Sequence, residues 1–206
     1  MASEVFRYVE ADHSYWLNDQ RIRGLSELLD LGGLVTAKDY YTEASRVRGS
    51  EVHRMAMNHD LGALSAKELA DSQYRGYGCA YVSAVAAMQP TTLSGEPGWE
   101  EIEIADYHPT FRYGCRKDRL GIVRFKGEKV GRRSIVEVKS GAKCEKAHGA
   151  QLALQAIVAE VRYGLPAKMW QRIALHLTDT GRWTPWVYED HRDFDQAHNL
   201  IGRFCK

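Results

Sequence analysis

No stretch of this 206-residue sequence approaches the roughly 20 consecutive apolar residues that a membrane-spanning helix needs, so no membrane is expected among its partners. Cysteine is sparse: Cys79, Cys115, Cys144 and Cys205 stand far apart, with no C-x-x-C pair. Zinc and iron–sulfur sites announce themselves by close ligand pairs, so neither zinc nor an iron–sulfur cluster is expected. Four scattered thiols read instead as free cysteines in a reducing compartment. The opening residues, MASEVFRYVE, lack the basic start and apolar core of a secretory signal, and the expected location is the cytoplasm. Internal repeats and low-complexity tracts are missing as well.

What is present is enough apolar content, 44%, to bury one substantial core, and a single domain over residues 1–206 is expected. Net charge is only +1, but it is unevenly spread. From Arg112 to Lys146 there are 12 Lys/Arg and 4 Asp/Glu, a balance of +8; the remainder carries 16 basic and 23 acidic residues, a balance of −7. A basic centre in an acidic frame suits a polyanion held in one cleft, although a solvated, salt-laced hairpin would produce the same numbers.

Periodicity divides the chain near residue 98. Before it, FRYVEADHSYWLNDQRIRG alternates aromatic and polar residues around the Asn18-Asp19 turn signal and predicts a small hairpin. Ser26 is the expected N-cap of a short helix ended by Gly32-Gly33. Residues 37–59 are rich in helix formers, and Ser65-x-x-Glu68 is a capping box that predicts a helix running to Met88. After the loop 89–98 the pattern shifts to strands: WEEIEIADYH, TFRYGC, DRLGIVRFK and RSIVEVKSG, separated by Gly, Pro or charged turns. KAHGAQLALQAIVAEVRYG is an amphipathic helix closed by Gly164 and Pro166. Two strands, KMWQRIALHLT and RWTPWVYE, and a terminal helix from about residue 191 complete the chain. The class implied is α/β: a central mixed sheet flanked by helices, with a helical N-terminal portion over 1–98 forming one wall beside a core over 99–206.

The strand RSIVEVKSG contains an anomaly. Residues two apart on a strand share a face, so Glu137 and Lys139 point the same way while Val136 and Val138 point the other. Burying either charge alone costs several kcal/mol, so something must compensate, and a plain ion pair is the simplest candidate. The neighbours widen the reading. Asp118, at the head of the preceding strand, can approach Glu137 across adjacent antiparallel strands and share one divalent cation, with the oxygen ligands typical of magnesium. Glu103 lies upstream in EEIEIA with Glu101 on the same face. Downstream, His148, Gln151 and Gln155 form a polar helical stripe. A carboxylate cluster with one lysine, a helix presenting amides and a basic surround are the parts that metal-assisted phosphodiester hydrolysis requires.

These segments resemble the PD-(D/E)XK nuclease superfamily, in particular its RecB-like and phage-encoded exonuclease branch. HSYWLNDQRIRGLSELL looks like the family's opening hairpin and first helix, and RVRGSEVHRM resembles its R-G-x-x-V-H helix. CRKDRLG stands where the family carries G-x-x-D-R-x-G, VEVKSG where it carries (I/V)-(D/E)-x-K-(T/S)-G, and HGAQLALQ where it carries H-x-x-Q-L-A-x-Y. Two positions depart from the pattern: Cys115 replaces the usual glycine, with Gly114 adjacent to serve a tight turn, and Gln155 replaces a supporting tyrosine.

The resemblance implies a PD-(D/E)XK core and magnesium-dependent hydrolysis of DNA, with manganese as a substitute. It implies an exonuclease acting on single- or double-stranded DNA in phage or bacterial recombination and end processing. A structure-selective endonuclease and a catalytically inactive DNA-binding relative are the alternatives. Carried over by position, Asp118 and Glu137 are metal ligands with the Val138 carbonyl, and Glu103, favoured over Glu101 by its distance of twelve residues from Cys115, is the outer carboxylate. His53 is a further ligand. Lys139 holds and polarises the attacking water, and Gln151 orients the phosphate or Lys139. Arg116, Lys117, Arg119, Lys143 and Lys146 flank these residues and are the expected phosphate contacts. A single-strand annealing protein is an implied partner, and the trimers of related exonucleases admit a homo-oligomer.

Overall fold

The computed structural model describes residues 4–35, 42–141 and 145–205. The chain begins with three short strands: β1 (Phe6–Val9), β2 (Ser14–Leu17) and β3 (Gln20–Gly24). Four helices follow: α1 (Leu25–Leu31), α2 (Glu43–Asp60), α3 (Ala66–Asp71) and α4 (Arg75–Met88). Then come β4 (Glu101–His108), β5 (Tyr113–Val123), β6 (Arg132–Lys139), α5 (Glu145–Tyr163), β7 (Gln171–Leu177), β8 (Trp183–Val187) and α6 (Arg192–Phe204). All eight strands join one mixed sheet in the order β1-β2-β3-β5-β6-β7-β8, with β4 paired to β5 off that path. One face packs on α1, α5 and α6 through Leu28, Leu120, Ile135, Leu154 and Leu200, and the other on α2 and α4 through Val52, Met55, Tyr81, Val136 and Val138. No helix among the described residues is long and apolar enough to cross a membrane.

Several elements differ from the sequence expectation. The opening is a three-stranded meander instead of a hairpin, because two turns reverse the chain. Asn18 and Asp19 both take positive φ, 50° and 59°, the conformation that suits a two-residue turn between twisted strands. Gly24, not Ser26, is the N-cap of α1, and it supplies no side-chain bond. The capping box at Ser65 does form, with its hydroxyl accepting from Glu68 N at 3.0 Å. The helix it starts ends at Asp71, however, where Ser72 takes an extended backbone and its hydroxyl accepts from Tyr74 N. The expected single helix to Met88 is therefore two.

The largest difference is β5. TFRYGC and DRLGIVRFK read as two strands with a charged turn between them, yet residues 113–123 form one 11-residue strand. The charges at 116–119 do not break it because each finds a counter-ion, as described below. Gly114 serves no turn either. A side chain there would meet the Tyr15 ring at 2.3 Å, so the glycine exists to let β2 lie against β5.

Helix α5 is buried on most of its circumference: Ala150, Leu152, Ala153, Leu154, Ala156, Val158 and Ala159 are all fully buried. Small residues let it sit tightly between the sheet and α6, and its glutamines are thereby fixed against the strands.

Candidate active site

The pairing of β5 explains where the site lies. Along one edge it pairs β4 for nearly its whole length. Along the other it pairs β3 only at Tyr113 and Gly114, and β6 only from Arg119 to Val123. Among the described residues, 115–118 have no strand partner on that edge, so the sheet forks there. Backbone polar groups in a buried fork must still be satisfied, and side chains do so. Val138 N donates to Asp118 Oδ2 at 2.8 Å, and Gln155 Nε2 donates to the Arg116 carbonyl at 3.2 Å.

The same registers bring the carboxylates together. Ile102↔Arg119 and Ile104↔Lys117 bracket Glu103 opposite Asp118, and continuing Arg119↔Val136 by one residue sets Asp118 opposite Glu137. Three acids on three neighbouring strands thus lie in one row. The alternation of faces slips at this row. Tyr113, Cys115 and Leu120 face α5, whereas Arg119 reaches Tyr81 of α4 and Val123 belongs to the α2–α4 core. In β4 the slip coincides with Glu103, whose φ of 54° lies in the left-handed region. A non-glycine residue held so in mid-strand is strained, and such strain concentrates at functional sites.

Helix α2 adds the fourth member. His53 Nδ1 lies 3.3 Å from Glu103 Oε1 and 3.6 Å from Asp118 Oδ1, and one ligand atom from each of the three residues falls within 4.8 Å of the others. Burial pulls the imidazole pKa down, but the charges of Asp118, Glu103 and Glu137 overcome it and raise His53 to about 9. Asp118 is pushed up to about 7 by burial and by the Glu137 charge. Glu103 moves the other way, to about 2: burial is outweighed by His53, Arg119 and Arg116. Glu103 is held by Arg119 Nη1 at 2.9 Å and Arg116 Nη2 at 3.0 Å. Glu101 is elsewhere, buried with Lys117, Arg162 and Tyr163.

Glu137 is not one of that group of three. Its Oε1 accepts from Lys139 Nζ at 3.0 Å and from the Gln151 amide, and its Oε2 accepts from Gln155 Nε2 at 2.8 Å. Lys139 Nζ also donates to Gln151 Oε1 at 3.1 Å. Burial alone would raise the Glu137 pKa, but the Lys139 charge and the Gln155 bond hold it below the ordinary range. Gln155 has a local role: this fully buried amide ties Glu137 to the β5 backbone. His148, expected on the same stripe, is buried against His176, whose partner across the β6–β7 ladder is Lys139. A cleft of about 340 Å³ opens beside Glu137, Gln151 and Arg116, walled by Tyr15 and His13 of the N-terminal strands.

The expected phosphate contacts lie in different surroundings. Lys117 is fully buried between Glu101 and Asp106, each at 3.2 Å. Arg119 is fully buried against Asp60, Tyr81 and Glu103. Both side chains have 0% exposure and face carboxylates. Arg116 is engaged by Glu10 at 2.7 Å as well as by Glu103. Lys146 is exposed at the start of α5, and Lys143 lies outside the described residues. Sequence reasoning missed Asp60, Tyr81 and Glu10 as partners; the only available signal was that four charged residues in a row inside an apolar strand demand counter-ions from elsewhere. Removing one member of a buried pair strands the other, at a cost of about 3–5 kcal/mol. Arg119→Met should lower the stability by that order, read as a fall in the urea midpoint at unchanged slope.

No family model matches the sequence, and no curated protein matches it. Among solved structures, a protein from Eubacterium rectale named as a candidate exonuclease aligns over 88% of this chain and 77% of its own, with a TM-score of 0.46 and 8% identity. A likeness of that size supports neither a fold family nor a function. Over the described residues, what is shown is a mixed α/β fold with six α-helices and an eight-stranded sheet, and a His–Glu–Asp group able to hold a cation.

Proposed function

We propose that this chain is a divalent-metal-dependent deoxyribonuclease with a PD-(D/E)XK core. The observation that carries the reading is the row Glu103–Asp118–Glu137 at the sheet fork, with Lys139 fastened two residues beyond Glu137. The donor set fits a hard divalent ion: buried carboxylates with one imidazole suit magnesium or manganese. A cation bound there would lower the Asp118 pKa, which burial and the Glu137 charge raise.

His53, Glu103 and Asp118 would hold the ion, with Glu137 and the Val138 carbonyl completing the shell from β6. Once bound, it supplies Lewis acidity toward a phosphodiester and a more acidic water. Lys139, fixed by Glu137 and Gln151, directs its ammonium at the non-bridging oxygens and the water. Gln151 sets the Lys139 rotamer, and Gln155 keeps Glu137 facing the cleft. On this reading residues 1–98 provide one wall of the DNA cleft and 99–206 the catalytic core of a single domain. The setting is DNA end processing in phage or bacterial recombination, with a single-strand annealing protein as partner.

The test is incubation with magnesium or manganese and end-labelled single-stranded, double-stranded and closed-circular DNA. Loss of linear DNA with the circle intact is the expected result. Cutting of the circle would replace exonuclease with endonuclease, and no hydrolysis of any substrate with either metal would overturn the proposal.

A further inference from the structure

If Lys117 and Arg119 are consumed inside the fold, the positive charge available to a polyanion must lie elsewhere. One group of arginines beside the cleft lines a second cavity of about 540 Å³, formed where β3, the turn before β5 and the end of α6 meet. Four arginines line it, Arg21, Arg23, Arg112 and Arg203, against one carboxylate, Glu27. Glu27 accepts from Arg21 at 3.3 Å and from Arg23 at 2.8 Å, so those two are partly neutralised. Arg112 donates to the neutral Gln20 amide at 3.1 Å, and Arg203 lies 4.9 Å from the Phe204 ring; among the described residues neither has a carboxylate partner. Arg112 also sits in the left-handed region, with φ of 51°, an uncommon conformation for a side chain of that size.

The position is as telling as the charge. Arg21, Ile22 and Glu27 line this cavity and also the cleft that reaches Glu137 and Gln151, so the two lie side by side across these residues. Guanidinium groups match phosphate oxygens in a planar, two-pronged geometry. The sequence signal pointed to residues 112–146, but three of the four arginines come from outside that window.

We propose that this four-arginine cavity holds backbone phosphates of the same DNA strand whose scissile bond lies at Glu137 and Lys139, with Arg112 and Arg203 as the principal contacts. The inference rests on the nuclease reading and adds a phosphate-binding subsite to it. Single-stranded phosphate contacts each contribute about 0.7 to the slope of log affinity against log salt. Losing two should reduce that slope by about 1.4 and weaken binding roughly tenfold at physiological salt.

The test is fluorescence anisotropy of a labelled oligodeoxythymidylate with the full chain in calcium, over a salt series. The proteins compared are the parent, Arg203→Gln alone, Arg112→Gln/Arg203→Gln and, as a control, Lys168→Gln at an exposed lysine that lines neither cavity, each checked for folding by circular dichroism. Support requires graded loss of affinity and salt slope in the arginine variants, near-parental binding by Lys168→Gln, and partial rescue by Arg203→Lys. Parental affinity and slope in a folded double variant, while the parent protein still cuts DNA, would overturn the subsite and leave the nuclease reading standing. A parent that neither binds nor cuts would remove both. Polyglutamate competing as well as the oligonucleotide for the arginines would replace a DNA strand with an acidic protein partner.

Discussion

Asp118→Asn is expected to stabilise the metal-free fold at pH 8 and to abolish metal-dependent hydrolysis. The direction follows from linkage. Asp118 has a folded pKa near 7 against an ordinary 3.8, owing to burial and the Glu137 charge. A carboxyl raised in the fold ionises more readily when unfolded, so its stabilising contribution is lost as pH rises from 3.8 through about 7, a cost on the order of 4 kcal/mol. His53 runs the same way for the opposite reason. Its imidazolium pKa is raised from 6.5 to about 9, so its contribution is full below 6.5 and lost as pH rises through 9. The two values describe one shared interaction and do not add. Asparagine keeps an oxygen for the Val138 N–H but removes the charge, and His53 then loses part of its own stabilisation, which offsets some of the gain. The difference in melting temperature between variant and parent should therefore widen from pH 4 to pH 8. Manganese should stabilise the parent more at pH 8 than at pH 5 and leave the variant nearly unmoved. A variant less stable than the parent across that range, or one stabilised equally by manganese, would show that Asp118 is a structural acid.

The same residue marks how far the sequence could be read. Glu137 and Lys139 were legible because a period-two pattern puts both on one face, and charges there are conspicuous among Ile135, Val136 and Val138. The arrangement around them was not. Asp118 was taken as the head of a strand because Arg116, Lys117 and Arg119 look like turn residues, and only the tertiary partners Glu101, Asp106, Asp60 and Glu103 make an unbroken strand affordable. Those partners come from β4 and the end of α2, and nothing local to β5 names them. The face slip at Glu103 and Asp118 was equally hidden, since strict alternation is what a sequence pattern assumes. Helix α5, by contrast, came through almost residue for residue, because one long apolar period ends in Gly164, which takes φ of 66°. Long periodic elements carry their own evidence, whereas a buried ionic network is distributed over the chain.

Lys139→Ala separates chemistry from architecture at this site. The ammonium sits 3.0 Å from Glu137 Oε1 and 3.1 Å from Gln151 Oε1, and neither contact is to the His53–Glu103–Asp118 group. Its removal should therefore leave the manganese-dependent rise in melting temperature almost unchanged. Hydrolysis should fall about 10²–10⁴-fold, the range for loss of a positioned proton-transfer group. Lys139→Arg should not restore it, because a guanidinium remains protonated and its planar fork cannot occupy the point between Glu137 and Gln151. The control is Gln155→Leu, which removes the amide tying Glu137 to the Arg116 carbonyl; it should weaken metal binding as well as turnover. If Lys139→Ala instead loses metal stabilisation in step with activity, lysine serves only to hold Glu137 in place. A fully active Lys139→Ala would remove this residue from the reaction and, with it, the reason for two charges on one face of β6 beside Ile135, Val136 and Val138.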